Sequence, residues 1–273
     1  MKQIVVGTLV GLMALSSQAE QRPRWELGLG LAGITLPEYR GSDERRSYVL
    51  PAPYLVYRGD VLKADRDGAR AQLIGLEGMH LDLGFGLSAP VSSSRNKARA
   101  GMPNLPGTVE VGPALDATLY RDEDAGVKLR FRLPVTYGIT LEKPVGGNGW
   151  QASPKLVFDK QNVLGLSGWN AGFQTGLMWS TRQRHAYFYD VAPQFATADR
   201  PAYRAGAGYA GAQFSAGLSK RFESVWFGVF ARYENLNGAV FTDSPLVKTR
   251  HYVVGGVALS WVLGQSSEMV AVD

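Results

Sequence analysis

Charged side chains recur at every second position along two neighbouring segments of this chain. Lys128, Arg130 and Arg132 alternate with apolar residues in the second segment. Glu110 and Asp116 hold the corresponding positions in the first. Ionised groups spaced in this way share one side of an extended chain. They can form an ion-paired network in a narrow interior, or they can line a water-filled channel and set its ion preference.

Residues suited to catalysis or metal binding are few and scattered. His80 is predicted on the polar side of a strand, His185 in or beside a loop, and His251 at the start of a strand. Their spacing does not match that of a metal site. Ser167 and Ser215 lie among glycines but do not match a nucleophile elbow, so a lipase or esterase site is the less favoured alternative. We therefore expect no catalytic residue, no metal and no cofactor.

The two charged segments have the period of two that is typical of β-strands. In residues 109–120 and 127–139, apolar side chains occupy alternate positions and mostly polar ones lie between them, which excludes a helical stripe. The charged turn at 121–126 joins the two strands as a hairpin. A five-residue loop would place Asp116 opposite Arg130, and a seven-residue loop would place it opposite Arg132.

The rest of the chain repeats this pattern, and we predict about twelve strands, with ten as the alternative. Residues 61–74 form either one strand broken by a bulge or a short hairpin. Residues 90–107 form a long basic loop, and residues 140–149 and 237–250 form two further loops. The other predicted strands are residues 25–34, 47–58, 79–89, 150–159, 166–180, 186–196, 203–220, 224–236 and 251–263.

The N-terminus has the three parts of a secretory signal peptide. Lys2 precedes an apolar run at 4–15, and a small-x-small sequence at 17–19 marks the cleavage site. The run is shorter than the roughly 20 residues of a transmembrane helix. We therefore expect a signal peptide at 1–19, a barrel domain at 20–263 and a C-terminal tail at 264–273.

Composition narrows the choice of chemistry and partners. The chain has no cysteine, which excludes thiol chemistry and cysteine-ligated metal. Its formal net charge of +5 is modest, and nucleic acid is a poor partner for an exported protein. Phosphate-bearing lipid headgroups, including those of lipopolysaccharide, are the candidate partners that this charge favours.

Twelve alternating strands fit either a soluble two-sheet sandwich or a closed barrel. Export, spans of roughly 10 residues, and charged faces that need a watery lumen favour an all-β, antiparallel transmembrane β-barrel in the outer membrane of a Gram-negative bacterium. A soluble periplasmic barrel is the alternative. Because so small a barrel has little spare bore, we favour an ion-paired plug over a channel. Aromatic residues near strand ends would mark the membrane interfaces, namely Trp25, Tyr48, Trp150, Trp179 and Trp261.

Several short motifs occur in order along the mature chain. They are Glu38-Tyr39-Arg40-Gly41-Ser42-Asp43, Pro51-Ala52-Pro53 with Tyr57-Arg58-Gly59-Asp60, Gly101-Met102-Pro103 before Glu110-x-Gly112-Pro113, Tyr203-Arg204-Ala205-Gly206, and Ser244-Pro245-Leu246-Val247. Together these motifs resemble the MipA/OmpV family of outer-membrane proteins. Outer-membrane barrels of this kind usually end on an aromatic residue. This chain departs from that pattern, because it continues for ten residues past Leu263.

The resemblance implies a function as well as a location. It implies a non-enzymatic outer-membrane scaffold for peptidoglycan synthesis and turnover, bridging a lytic murein transglycosylase (MltA) and a bifunctional penicillin-binding protein. Other members of the family are linked to pore formation, adhesion or the response to antimicrobial peptides. A small outer-membrane pore, or a surface protein that responds to envelope stress or antimicrobial peptides, is therefore the alternative function.

Two polar loops are candidate docking sites, although each could be an ordinary solvated loop. Facing the periplasm, they could contact the murein machinery. Facing outward, they could bind lipopolysaccharide phosphates, for which arginine is well suited. The strand count places the 90–107 loop on the periplasmic side, whereas a hairpin at 61–74 would move it outside. The candidate residues are Tyr39, Asp43, Arg45 and Arg46 in the first loop and Arg95, Lys97 and Arg99 in the second.

Overall fold

The computed structural model describes residues 21–58, 62–65, 68–76, 78–142 and 145–271. The predicted signal peptide lies outside this part of the chain. The regular structure described consists of one α-helix, α1 (Arg182–Tyr189), several short 3-10 turns, and strands. The strands are β1 (Gln21–Pro23), β2 (Trp25–Pro37), β3 (Arg45–Arg58), β4 (Leu62–Asp65), β5 (Gly68–Leu76), β6 (Met79–Ser88), β7 (Thr108–Asp122), β8 (Val127–Thr140), β9 (Gly147–Ala152), β10 (Lys155–Lys160), β11 (Trp169–Ser180), β12 (Gly208–Arg221), β13 (Val225–Asn235), β14 (His251–Gln265) and β15 (Met269–Ala271).

Antiparallel pairing closes the main sheet on itself. Each strand from β2 to β8 pairs with the next, β11 to β14 do likewise, and β14 pairs back with β2. The gap between β8 and β11 is filled by β10 over one half of its length and by β9 over the other. Since β9 and β10 share one position, the 13 strands of the described sheet make a twelve-stranded barrel. The predicted antiparallel β-barrel is thus confirmed.

One strand prediction is wrong, and for another segment one of the two predicted alternatives is confirmed; their effects on the count cancel. Strands β4 and β5 form the short hairpin that was the alternative to one bulged strand. Residues 186–196 are not a strand but belong to α1 and the 3-10 turn Pro193–Phe195. Apolar residues of this segment, among them Tyr187, Tyr189 and Val191, pack into one loop core, and Pro193 cannot donate in a sheet. One strand is gained and one is lost.

The connections divide unevenly between the two ends of the barrel. One end, here called the terminal end, carries β1, β15 and short turns such as 123–126 and 222–224. The opposite end, here called the loop end, carries the three longest connections of the described chain, which are residues 89–107, 181–207 and 236–250, together with the shorter connection 38–44. The hairpin β4–β5 is the reason that the 89–107 connection lies at the loop end, because it adds one reversal of chain direction before β6.

The barrel strands point their apolar side chains outward. In β2, Leu27, Leu29 and Leu31 are exposed, and Leu31 is 55% accessible. Glu26, which lies between the exposed Trp25 and Leu27, is buried. Val49 of β3 and Leu87 of β6 are likewise exposed. These apolar rows therefore surround the barrel and are not packed inside a sandwich.

Aromatic side chains lie near both ends of the outward surface. Trp25, Trp261 and Phe222 are exposed near the terminal end, and Trp150 and Trp179 near the loop end. Tyr48 does not belong to this set, since the unbroken β2–β3 register puts it on the inward side with Tyr54. Trp169 and Trp179 begin and nearly end β11, a separation of about 33 Å along the strand. At a tilt of roughly 40° this gives a band about 25 Å tall, the height of a membrane barrel's apolar band.

Within the described residues, no helix is long and apolar enough to cross a membrane.

The most buried apolar side chains lie in the loop-end connections, which together form a folded unit, here called the cap (residues 38–44, 89–107, 181–207 and 236–250). Its core includes Tyr39, Tyr189, Leu236, Phe241 and Leu246. Inward side chains of the barrel mouth join the same cluster, so the cap packs into the mouth; they include Met178, Tyr252 and Val254.

Candidate functional site

The predicted charge row forms an ion-paired network in the middle of the lumen. Asp116 is paired in register with Arg132. Its Oδ2 atom lies 3.0 Å from Nη1 of Arg130 and 3.4 Å from Nε of Arg132. Arg130 also reaches across to β10, where its Nη2 atom lies 3.0 Å from Oδ2 of Asp159. Lys128 is paired in register with Asp159 at the terminal end of the same row.

A bulge accompanies the register in which Asp116 lies opposite Arg132. The β7–β8 register shifts between Thr118 and Tyr120, so the intervening Leu119 has no partner and the turn shortens to residues 123–126. Leu119 and Tyr120 are both exposed as a result. The pairing of Asp116 with Arg132 is the one predicted for a seven-residue loop, and the bulge allows the shorter turn 123–126 to produce it. The bulge leaves no clear trace in the alternation of residue types.

Glu110 has a partner that sequence reasoning missed. It forms an ion pair with Arg184 of α1, and Arg184 also donates from Nη1 to Oδ1 of Asn148 at 2.7 Å. Because residues 186–196 were predicted as a strand, nothing indicated that a helix would direct an arginine into the barrel mouth. This contact ties the cap to the lumen wall.

Two further ion-paired clusters lie at the ends of the lumen. At the terminal end, Glu26 pairs with Arg58 at 2.8 Å and with Arg221 at 3.3 Å. At the loop end, Glu234 pairs with Arg40 at 2.7 Å, while its Oε2 atom also accepts from the Tyr252 hydroxyl at 2.9 Å. Glu26 and Glu234 follow the same alternation as Asp116, and that alternation was the signal that could have revealed them.

The structure joins the two candidate docking loops into one surface. Asn96 Nδ2 donates to Oε2 of Glu38 at 2.7 Å, and the Lys97 backbone N–H donates to Oε1 of Glu44 at 2.7 Å. Arg46 forms an ion pair with Glu38. The loops lie at the loop end, on the opposite side of the barrel from β1 and β15.

Tyr39 and Arg99 are unsuited to the docking role in this conformation, because both are buried in the cap. The Tyr39 hydroxyl donates to the Leu246 carbonyl oxygen at 2.8 Å, and Arg99 Nη1 donates to the Phe188 carbonyl oxygen at 3.1 Å. Burial raises the pKa of Tyr39 and lowers the pKa of Arg99. Their role here is to hold the cap together.

The remaining docking candidates stay at the surface. Asp43, Arg45, Arg95 and Lys97 are exposed. Arg45 nevertheless has an internal contact, since its Nη2 atom donates to the Val253 carbonyl oxygen at 2.6 Å. The accessible part of the predicted docking surface is therefore a small, mostly basic patch.

The histidines are far apart in the fold. His80 lies on the inward side of β6, and His251 is exposed and hydrogen-bonded to the Tyr233 hydroxyl at 2.7 Å. His185 is buried in the cap with Nδ1 2.7 Å from the Gly206 carbonyl oxygen. Among the residues that the structure describes, no group of three or more potential metal ligands converges. Ser167 lies in an exposed turn, whereas Ser215 faces the lumen.

Comparison with known proteins identifies the family. Among solved structures, the chain resembles the outer membrane protein OprG from Pseudomonas aeruginosa, with 11% sequence identity, 90% of this chain and 95% of that chain covered, and a TM-score of 0.23. No curated protein matches the chain. The family described as MltA-interacting protein MipA matches residues 29–263, which is most of the chain. The chain therefore belongs to the MipA family.

Proposed function

We propose that this protein is a non-enzymatic outer-membrane barrel that acts as an adaptor for murein enzymes. The partners proposed are a lytic transglycosylase and a bifunctional penicillin-binding protein. Membership of a family described as MltA-interacting supports the first partner. The outward apolar band supports the location, because soluble monomers rarely expose contiguous apolar patches beyond a few hundred Å².

The observation that carries the adaptor role is the filling of the barrel. The cap packs into the mouth at the loop end, and Arg184 of the cap pairs with Glu110 of the lumen wall. Below it, Asp116, Arg130 and Asp159 link β7, β8 and β10. A barrel filled in this way is better suited to presenting surfaces than to passing solutes.

The unequal connections support an orientation. Outer-membrane barrels have short periplasmic turns and longer extracellular loops, so we place the terminal end in the periplasm and the cap outside. Murein enzymes would then dock at the terminal end, where Leu164 is 90% exposed and Leu166 is also exposed. The basic patch around Arg95 and Lys97 would instead face lipopolysaccharide.

A pull-down from detergent extract tests the proposal. The double variant Leu164→Asp with Leu166→Asp should recover less transglycosylase than the wild-type barrel. The matched double variant Arg95→Glu with Lys97→Glu, at the opposite end, should recover as much as wild type. Recovery of neither enzyme by the wild-type barrel, together with normal wall turnover in a deletion strain, would overturn the adaptor role.

A small pore is the second candidate function, and a cavity in the lumen favours it. The cavity has a volume of 430 Å³ and lies beside the ion-paired network. In planar bilayers, a pore should give a conductance that changes when Arg130 and Arg132 are replaced by alanine. An adaptor without a pore should give no steady conductance in either form.

A further inference from the structure

The lumen cavity lies in the half of the barrel nearer the terminal end. It is bounded by inward side chains of β10, β11, β12 and β13, among them Asp159, Asn170 and Ser219, which lie close to the strand ends there. Its volume of 430 Å³ falls in the range of about 300–1,000 Å³ that is typical of small-molecule sites. Because the cap occupies the opposite mouth, we infer that a ligand would enter from the terminal end.

One wall of the cavity consists of uncharged polar groups without partners. Gln213, Ser215 and Ser219 of β12 face the cavity. In the part of the chain that the structure describes, these three side chains form no hydrogen bond with another residue. Partly buried amides and hydroxyls require hydrogen-bond partners, which water or a ligand must therefore supply.

The charged groups at the edge of the cavity are already paired. Asp159 contacts Arg130 at 3.0 Å, and Arg232 Nε lies 3.0 Å from Oε1 of Glu234. Lys155 Nζ donates to Oε1 of Gln174 at 3.3 Å. An ionised ligand would have to compete with these pairs, whereas an uncharged polar ligand would bind the free amide and hydroxyls.

The adjoining wall is aromatic. Trp226 and Phe230 project from β13 into the cavity, and Phe230 is 39% exposed although it points away from the outer surface. An aromatic face beside hydrogen-bonding side chains matches a molecule with an apolar ring face and a polar edge. Sugars have this character, since their C–H groups form the ring faces and their hydroxyls form the edges.

We propose that the barrel lumen binds a small uncharged sugar, a mono- or disaccharide, between the amide and hydroxyl wall of β12 and the aromatic wall of β13. This proposal is independent of the adaptor role, because it concerns the interior of the barrel and not its docking surfaces.

Isothermal titration of the full barrel with sugars tests this proposal. The barrel is held in an amine-oxide detergent, because maltoside detergents would themselves present sugars. The probes are maltose and N,N′-diacetylchitobiose, with glucose 6-phosphate as an anionic comparison. We expect saturable binding of at least one neutral disaccharide and weaker binding of the phosphate. Gln213→Ala should weaken binding by about 2- to 10-fold, the effect of one lost hydrogen bond.

Gly217→Leu is the sharper variant. A Cβ atom at Gly217 would have its nearest neighbour, the Val229 carbonyl oxygen, at an ordinary 3.5 Å, so the backbone tolerates the change while the longer side chain fills the cavity. This variant should abolish binding. Gly33→Leu is the control, because a Cβ atom at Gly33 would have its nearest neighbour, a Val257 side-chain carbon, at 3.8 Å on the outer surface.

Three results would overturn the proposal. They are the absence of saturable binding to both disaccharides, equal binding by wild type and Gly217→Leu, and equal or tighter binding of glucose 6-phosphate. Heat-modifiable migration on a gel shows which variants are folded. If Gly217→Leu does not fold, Gln213→Ala decides the matter, and unchanged affinity in that variant counts against the site.

Discussion

The ring of Tyr189, at the end of α1, lies against the ring of Phe241, with centroids 3.8 Å apart and planes 6° from parallel. The Tyr189 hydroxyl donates to the Arg40 carbonyl oxygen at 2.9 Å, and the Ser244 hydroxyl donates to the Tyr189 carbonyl oxygen at 2.8 Å. Tyr189, which belongs to connection 181–207, therefore joins it to connections 38–44 and 236–250. The loops at this end form a packed unit and not separate flexible segments.

Phe241→Ala should loosen the cap but spare the barrel. The Phe241 side chain is fully buried, and removing a buried phenylalanine ring costs about 3–5 kcal/mol. We expect rapid proteolysis within the cap while heat-modifiable migration of the barrel persists. Val240→Ala, at the exposed neighbouring position, is the control and should remain resistant. A resistant Phe241→Ala cap would show that the stack does not hold the loops.

The cap should lose stability in mild acid because of His185. Burial lowers the pKa of His185 below its ordinary value of 6.5; the hydrogen bond to Gly206 opposes this shift, and the nearby Arg40 and Arg184 guanidinium groups add to it. Above pH 6.5 the imidazole is neutral in both the folded and the unfolded cap. As the pH falls through 6.5, only the unfolded cap takes up the proton, so the folded cap loses up to about 1.4 kcal/mol per pH unit until its own pKa is reached.

Limited proteolysis between pH 7.5 and pH 5 measures this effect. His185→Gln removes the titration and keeps a donor for the Gly206 carbonyl oxygen, so its cap should show a flatter pH dependence. Arg40 and Arg184 stay charged throughout this range and do not contribute to the slope. An identical pH profile in wild type and variant would assign the acid sensitivity to another group.

Asp116→Asn should destabilise the barrel. Asp116 is 3% exposed and is the partner shared by Arg130 and Arg132. Removing one member of a buried ion pair costs about 3–5 kcal/mol, because it leaves a buried charge uncompensated. Urea unfolding of the barrel in phospholipid vesicles measures the change. Asp124→Asn, in the exposed turn of the same hairpin, should change the unfolding free energy little.

Leu31→Arg tests whether the outward face contacts lipid. Leu31 lies within β2 on the apolar side, and an arginine facing lipid near the bilayer midplane costs about 2–4 kcal/mol in a membrane barrel. The same urea titration should detect this loss. Leu164→Arg is the comparison, because Leu164 lies in a turn beyond the strands and should tolerate the charge. Equal stability of the two variants would indicate a barrel surrounded by water.

Alternation of side chains is a local property, and the sequence alone was sufficient to read it. A strand turns successive side chains to opposite faces, so the residue types around Asp116, Arg130 and Arg132 already predicted an apolar outer face and an ionic inner one. The antiparallel strands followed from this pattern, whereas the choice of a barrel over a sandwich also needed the predicted export and the charged inner faces. The same reasoning would have included Glu26 and Glu234 in the ionic face.

Contacts between distant segments were decided only by the tertiary structure. Within the β7–β8 hairpin, the bulge at Leu119 joins the register in which Asp116 lies opposite Arg132 to a short turn, by adding one residue to β7. Residues 186–196 were predicted as a strand, yet they form the end of α1 and part of the cap core, since Tyr189 gains its burial from Phe241 and Leu246. Local periodicity could not reveal the fold of 186–196, because it depends on packing against residues more than 50 positions away.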